Sequence, residues 1–127
     1  MATDDTVLTD DSLTRRPDGL AIALKIPWYR SLWLSSVSNV TVAIDGTPVI
    51  DLRAELNGRS YRIEELKDQS ETLWFLQDRL VILAPVRPEK SAVDVEVSVE
   101  IRLPYMQIAP QKYVTNHATN HRVLEAL

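Results

Sequence analysis

The segment from Ala92 to Leu103 alternates strictly between apolar and polar side chains. Its apolar positions are Val93, Val95, Val97, Val99, Ile101 and Leu103, and the polar positions between them are Asp94, Glu96, Ser98, Glu100 and Arg102. A helix would scatter the apolar side chains around its circumference, whereas a strand puts them all on one face. Most of them are β-branched, which favours a pleated surface. The segment therefore predicts a long strand with one dry and one wet face, as in antiparallel sheets.

Shorter segments of the same kind surround this strand. Residues 20–26 alternate, and so do residues 40–44, which end at the turn pair Asp45-Gly46. That pair suits positive φ, and a further short strand follows it over residues 47–50. Residues 64–69 allow one helical turn, which is too short to define an architecture.

Two hairpins are predicted in the middle of the chain. Asn57-Gly58 is the strongest short hairpin signal, and it predicts that residues 51–56 pair antiparallel with residues 59–63. A second hairpin is predicted between residues 72–76 and residues 80–83.

Seven or eight short strands with turn signals between them predict an all-β fold. We expect an antiparallel β-sandwich or jelly-roll-like single domain with short irregular tails, since 127 residues suit one domain. The expected divisions are a flexible leader over residues 1–18, the sandwich over residues 19–110 and a C-terminal tail over residues 111–127. The alternation is lost in that tail, where residues 120–127 allow a terminal helical turn.

The composition excludes several functional classes. A net charge of −4 argues against nucleic acid or an anionic membrane as the main ligand, because both need a basic face. The chain has no cysteine, so it has no disulfide, thiolate metal site or cysteine nucleophile. The sequence lacks a signal-peptide pattern and any run of roughly 20 apolar residues, so we expect a cytoplasmic protein.

Three carboxylates lie on the predicted wet face of the long strand: Asp94, Glu96 and Glu100. Neighbours two positions apart on a strand are separated by roughly 6.6 to 6.8 Å, which falls within the range for an inverting glycosidase pair. However, the sequence supplies no apolar pocket that would raise the pKa of one carboxyl. We therefore interpret the three acids as a solvated sheet face.

The two histidines, His117 and His121, stand four residues apart in the tail. On a helix they would share one side and could bind a metal. Ala118 after the first histidine departs from the zincin motif, and the surrounding Thr and Asn residues favour caps and turns. We therefore favour, over a metal site, the interpretation that the tail containing both histidines is mobile or becomes ordered against a partner. Because the chain also lacks nucleophile, phosphate-loop and dinucleotide motifs, we assign no catalytic, cofactor-binding or metal residue.

Two segments rich in aromatic side chains stand outside the alternation. One is the corner that begins at Pro27, and the other follows the long strand directly. Trp, Tyr, Arg and Met are enriched at protein interfaces, although tryptophans in the corner equally fit a plug at the open end of a sandwich. The candidate partner-interface residues are Trp28, Tyr29, Arg30, Trp33, Pro104, Tyr105 and Met106.

At these motifs the sequence resembles the small β subunit of bacterial C-glycoside deglycosidases, over about residues 19–108. The resemblance rests on Pro27-Trp28-Tyr29-Arg30, the segment 40–46, Leu56-Asn57-Gly58 with Tyr61, Glu65-Leu66, Trp74, and the segment 101–106. The chain has Ser31 where that pattern leads us to expect glycine, so the turn there is expected to differ.

The resemblance implies a partner that carries the chemistry. In that family a larger TIM-barrel α subunit holds a divalent metal, commonly manganese, and a catalytic histidine. The complex cleaves the carbon–carbon bond between a 3-oxo-glucosyl group and a flavonoid or related aromatic aglycone by base-assisted elimination. This chain would be the accessory subunit, with no cofactor of its own, in a higher-order hetero-oligomer.

Two alternatives remain open. The chain could be a free-standing carbohydrate- or small-ligand-binding sandwich in which Trp28, Tyr29 and Trp33 form a stacking platform. It could also be a small metal-dependent enzyme that uses His117 and His121.

Overall fold

The computed structural model describes the following residues: 7–9, 12–17, 19–26, 31–69, 71–75, 77–89, 92–109 and 112–125; of residues 103–109 and 112–117 it describes the backbone alone. Strands dominate this part of the chain. They are β1 Leu13–Arg16, β2 Gly19–Leu24, β3 Leu32–Trp33, β4 Val37–Ile44, β5 Thr47–Pro48, β6 Arg53–Leu56, β7 Arg59–Arg62, β8 Leu73–Trp74, β9 Leu80–Ala84, β10 Ala92–Ala109 and β11 Lys112–Glu125. Two 3₁₀ helices, Leu34–Ser36 and Ile63–Asp68, accompany them. In the described ranges, no helix has the length and apolar character needed to cross a membrane.

The strands form two main antiparallel sheets and one small one. The first sheet has the order β1-β2-β9-β6-β7, the second has the order β11-β10-β4-β5, and β3 pairs with β8 in a two-stranded ladder. Buried side chains from both main sheets form one hydrophobic core. The prediction of an all-β antiparallel single domain is therefore confirmed.

The long strand is β10, and it lies between β11 and β4 in the second sheet. Its inward side chains from Val93 to Ile101 are fully buried, and its outward side chains are half-buried or exposed. Burying each such valine or isoleucine stabilises the fold by about 1.5–3 kcal/mol. The predicted strand with one dry and one wet face is confirmed, and β10 continues past Leu103 to Ala109.

Both predicted turn pairs adopt the conformation that their sequences favour. Asn57 has φ 51° and Gly58 has φ 82°, and the hairpin pairs Leu56 with Arg59. Asp45-Gly46 likewise has positive φ at both positions and joins β4 to β5. Two-residue loops with positive φ at both positions match the twist of the strands they connect.

The second predicted hairpin is wrong. β8 pairs with β3, whereas β9 lies in the first sheet between β2 and β6. The reason is Trp74, which is fully buried and whose Nε1 donates to the Asp78 carbonyl at 3.0 Å. The Asp78 amide in turn donates to the Phe75 carbonyl at 3.0 Å, so the chain turns after β8, and β9 does not pair with β8. The short helical turn expected over residues 64–69 is confirmed as the 3₁₀ helix Ile63–Asp68.

The expectation of irregular tails is wrong for the residues described at both ends. β1 lies within the predicted leader and pairs with β2, and Val7 and Leu8 are fully buried. Val7 accepts a hydrogen bond at its carbonyl from the Lys25 amide at 3.0 Å.

At the C-terminal end, β11 replaces the predicted tail and the helical turn expected from Asn120. It pairs with β10 from Glu125, opposite Ala92, to Lys112, opposite Ala109. Alternation is weak in β11 because Ala118 and Asn120 fill two inward positions of its described part, and only Leu124 there is a large buried apolar side chain. Both sheets therefore include residues from outside the predicted bounds 19–110.

Candidate partner-binding surface

An exposed apolar patch lies on the small β3–β8 ladder. Trp33 pairs with Leu73, so their side chains share one side of the ladder, and Phe75 follows Leu73 at a spacing of two. Trp33 is 49% exposed and Phe75 44% exposed, and Leu73 between them is half-buried. We call Trp33, Leu73 and Phe75 the aromatic patch.

The side chain that fills the core beneath this ladder is Trp74, which alternates with the patch. It has no exposed surface, and its indole N–H is satisfied within the fold. Trp33 therefore does not act as the plug that the sequence allowed, and it presents about half of its surface to solvent.

The second feature of the candidate surface, after the aromatic patch, is an arm formed by the end of β10 and the start of β11. In the described backbone, β4 pairs with β10 as far as Ile101, opposite Val37. Beyond that point β10 pairs with β11 alone, through Leu103 opposite Val114 and Ala109 opposite Lys112. We call residues 103–109 and 112–117 the β10–β11 arm.

The arm and the aromatic patch lie at the same end of the sandwich. Because β4 is antiparallel to β10, the residues that precede Val37 lie at the end where β10 continues past Ile101. Those residues include the first 3₁₀ helix and Trp33. The Leu34 amide donates to the Thr72 carbonyl at 2.8 Å, which ties this helix to the start of β8.

The seven predicted interface residues divide into three groups. Trp33 is exposed, as an interface residue must be, and it lies in the aromatic patch. The backbone of residues 104–106 lies in the arm, while their side chains are outside the described part of the structure. Residues 28–30 also lie outside the described residues, so their predicted role stays a prediction.

Sequence reasoning missed Leu73 and Phe75. The signal was present, because the alternation around Trp74 puts both of them on the side opposite the tryptophan. The hairpin predicted between residues 72–76 and residues 80–83 leaves no place for the pairing of Leu73 with Trp33.

The carboxylates on the wet face of β10 have surface partners. The Ser38 hydroxyl donates to Glu100 Oε1 at 2.9 Å, and Asp94 contacts His121 Nε2. Glu96 is exposed and lies opposite His121 in the register. These contacts are typical of a solvated sheet face.

The two histidines lie on a strand, so the helical spacing considered for a metal site does not apply. His121 is exposed on the outer face of β11, and His117 lies opposite Glu100 with its side chain outside the described residues. Across the described residues, no three His, Asp or Glu side chains are grouped so that they could hold a metal ion.

A cleft of about 490 Å³ lies at the side of the sandwich, between β4 and the second 3₁₀ helix. Asn39, Val40, Ile50, Ile63 and Lys67 are among its lining residues. Ile50 is 77% exposed. The cleft is a shallow surface feature, unlike the enclosed pockets that bury most of a small ligand.

Comparison with known proteins identifies the family. The family model described as C-glycoside deglycosidase beta subunit matches residues 4–105. A C-glycoside deglycosidase beta subunit from Arthrobacter globiformis is 42% identical over 127 residues, which cover 96% of each chain. The 3'-dehydrocarminate deglycosidase beta subunit of a Microbacterium species is 30% identical over 106 residues, covering 81% of this chain and 80% of its own. A C-glycoside deglycosidase beta subunit from Microbacterium trichothecenolyticum is 29% identical over 119 residues, covering 90% of this chain and 91% of its own.

The designation of these relatives as beta subunits implies a second subunit in a heteromeric complex. The all-β fold and the exposed aromatic patch on the ladder of Trp33 and Leu73 are compatible with a chain that contacts such a subunit. The chain belongs to the family of C-glycoside deglycosidase beta subunits.

Proposed function

We propose that this chain is the accessory subunit of a heteromeric C-glycoside deglycosidase that acts in the cytoplasm. Its partner is a larger TIM-barrel α subunit that carries the catalytic residues. The observation that carries the proposal is the match to a named beta subunit over 96% of both chains.

The exposed surface at one end of the sandwich supports an accessory role. Trp33 and Phe75 each present nearly half of a large aromatic side chain to solvent, and neighbouring exposed apolar surface of this kind is typical of interaction sites. The β10–β11 arm extends from the same end beyond the sheet, and an isolated two-stranded hairpin is marginally stable in water. Both features favour a partner that covers this end, and we propose that the α subunit does so.

The resemblance implies a divalent metal, and the described residues of this chain offer no group of three His, Asp or Glu ligands for it. Asp94 and His121 contact each other, but both are substantially exposed and a third described ligand is missing from the pair. Catalytic zinc sites, for comparison, use three protein ligands whose orientation is fixed by a second shell. We propose that the α subunit holds the metal.

The chemistry that we propose for the complex is an elimination. A 3-oxo group on the sugar makes the C2 proton acidic, so a base can remove it. The C1–aryl carbon–carbon bond then breaks, a C1=C2 double bond forms, and the aglycone carbon takes up a proton. A 3-oxo-glucosyl C-glycoside is accordingly the expected substrate class, and one relative is named for a dehydrocarminate.

The experiment that tests this proposal compares three samples on a 3-oxo C-glucoside: this chain, its cognate α subunit, and the two together. We expect aglycone release from the mixture and none from this chain alone. Turnover by the purified chain alone would contradict the accessory role.

A second candidate is a free-standing carbohydrate-binding module, which the exposed aromatic patch also favours. Trp33 and Phe75 would then stack on a sugar ring. Saturable quenching of tryptophan fluorescence by a mono- or disaccharide, abolished by Trp33→Ala in the isolated chain, would support this alternative. An unchanged emission spectrum would eliminate it.

A further inference from the structure

The two central strands of the first sheet that pair with each other, β2 and β9, are apolar on both faces. Their inward side chains form part of the core, and their outward side chains are Ala21, Ala23, Val81 and Leu83. Ala21 lies opposite Leu83 and Ala23 lies opposite Val81, so the four outward side chains form one contiguous group. We call this group the outer apolar strip.

The second sheet of the same molecule provides the comparison. On β10 the outward positions between the buried valines are Asp94, Glu96, Ser98 and Glu100. Strands with one face in water alternate in this manner, whereas strands covered on both faces are apolar throughout. By this criterion β10 has the pattern of a strand with a solvated face, and β2 and β9 have the pattern of strands that are covered on both faces.

One long side chain crosses the outer apolar strip. Arg16, at the end of β1, reaches Glu55 on β6 with 3.5 Å between Nη1 and Oε2. Strands β2 and β9 lie between them in the sheet, so the arginine stem lies over the strip. Val81 and Leu83 are nevertheless only half-buried. Arginine stems often cover apolar surface in this way, and arginine is enriched in interfaces.

The charges beside the strip favour an acidic partner surface. Arg53 and Arg62 are exposed and directly opposite each other on β6 and β7, an arrangement of like charges that costs stability. Asp51 and Glu64 line the same surface opening as Arg53 and Arg62. A carboxylate from a partner, placed between the two guanidinium groups, would relieve the repulsion through charge-assisted hydrogen bonds.

A second copy of this chain fits this face poorly. A symmetric dimer brings each patch against itself, so Arg16, Arg53 and Arg62 of one copy would face the same arginines of the other. The whole outer face of the first sheet also has limited area. Five strands spaced ~4.8 Å apart and about five residues long give a face of roughly 300 Å². A standard interface needs about 800 Å² from each partner.

We propose that the partner subunit of the enzyme covers the outer face of the first sheet. The contact consists of an apolar surface of the partner against the outer apolar strip, with partner carboxylates at Arg53 and Arg62. Because the face supplies less than half of a standard interface, it forms one part of a larger contact. The inference rests on the proposed function, since it requires an α subunit.

The absence of cysteine allows a direct test. Val81→Cys places a thiol in the strip, and Thr119→Cys places a matched thiol on the exposed outer face of the second sheet. Each variant is labelled with a maleimide probe, first as the free chain and then in the purified complex with the cognate α subunit. We expect labelling at position 81 to slow at least about tenfold in the complex, and labelling at position 119 to change less than about twofold.

Equal labelling at position 81 in the free chain and in an intact complex would overturn the inference while leaving the accessory function standing. Protection at position 119 in place of position 81 would overturn it as well. If the wild-type chain forms no complex at all, the proposed function fails and the inference fails with it.

A second pair of variants measures assembly by co-purification. Val81→Lys is expected to abolish recovery of the α subunit, whereas Thr119→Lys is expected to leave it unchanged. Circular dichroism tests whether both variants fold, and sedimentation tests whether they are monomeric. Concentration-dependent protection of position 81 in the free chain, together with a dimer in sedimentation, would assign the face to a second copy and overturn the choice of partner.

Discussion

The Asn120 side chain accepts a hydrogen bond at Oδ1 from the Leu8 amide at 2.7 Å, although 112 positions separate the two residues. Both residues are buried. Arg122 adds a second contact by donating from Nη1 to the Leu8 carbonyl at 3.0 Å. The last strand and the segment before β1 therefore hold each other in place along one side of the sandwich.

Asn120→Ala is expected to lower the free energy of unfolding by about 1–3 kcal/mol, because it leaves the buried Leu8 amide without an acceptor. Thr119→Ala, one residue away on the exposed outer face, is the control and is expected to cost less than about 1 kcal/mol, because it removes only an exposed cross-strand hydrogen bond to Ser98. Urea denaturation of both variants measures the difference. Equal stabilities would show that this hydrogen bond does not secure the two segments.

Trp74 and Trp33 are expected to contribute very different amounts to folding stability, because only Trp74 is fully buried. Trp74→Ala removes a fully buried indole and is expected to cost about 3–5 kcal/mol of folding stability. Trp33→Ala removes a side chain that is 49% exposed and is expected to cost less than about 1 kcal/mol.

Assembly with the α subunit is expected to respond to Trp33→Ala, because truncating a central interface anchor costs about 2 kcal/mol or more of binding free energy. Chemical denaturation measures the folding stability of both variants, and affinity co-purification measures their binding to the α subunit. A Trp33→Ala chain that folds and binds the α subunit with wild-type affinity would remove the aromatic patch from the interface.

Gly19 begins β2 with φ +143°, and a Cβ built there would lie 2.1 Å from the Ala84 carbonyl oxygen. Gly19→Ala is therefore expected to separate β2 from β9 and to cost more than about 2 kcal/mol. Gly46→Ala is the control, because its φ of +82° is strained for alanine but its Cβ would enter open space. The control is expected to cost about 1–2 kcal/mol. Thermal unfolding ranks the two variants. A Gly19→Ala chain that is more stable than the Gly46→Ala chain would contradict the close approach of Gly19 to the Ala84 carbonyl.

The β10–β11 arm can be removed without removing the sandwich. Replacing residues 104–113 with Asn-Gly joins Leu103 to Val114, which pair in the native register. We expect an unfolding free energy within about 1 kcal/mol of the wild type, because a two-stranded hairpin adds little stability by itself. We also expect loss of the complex with the α subunit. Full co-purification of the shortened chain would exclude the arm as a contact.

The sequence predicted the parts of the fold that depend on local pattern. The strand around Val97 was predictable because its inner face is uniformly apolar and its outer face uniformly polar. The hairpin at Asn57-Gly58 was predictable because both residues accept positive φ. These features require no knowledge of which strands become neighbours.

The parts that could not be predicted depend on contacts between distant segments. β11 was missed because Asn120 occupies an inward position, where it is buried by bonding to Leu8. The sequence predicts the wrong neighbour for the strand that contains Trp74, because alternation identifies a strand without identifying the strand that pairs with it. For the candidate site, the sequence identified Trp33 but not Phe75, whose exposure depends on the β3–β8 pairing.

Sedimentation of this chain mixed with its cognate α subunit, with aglycone release from a 3-oxo C-glucoside assayed across the gradient, tests most directly whether the chain acts through assembly. We predict one heteromeric species that contains both chains and coincides with the peak of activity. Two separately sedimenting chains, with full activity in the α-subunit fractions or any activity in the fractions of this chain, would contradict that account.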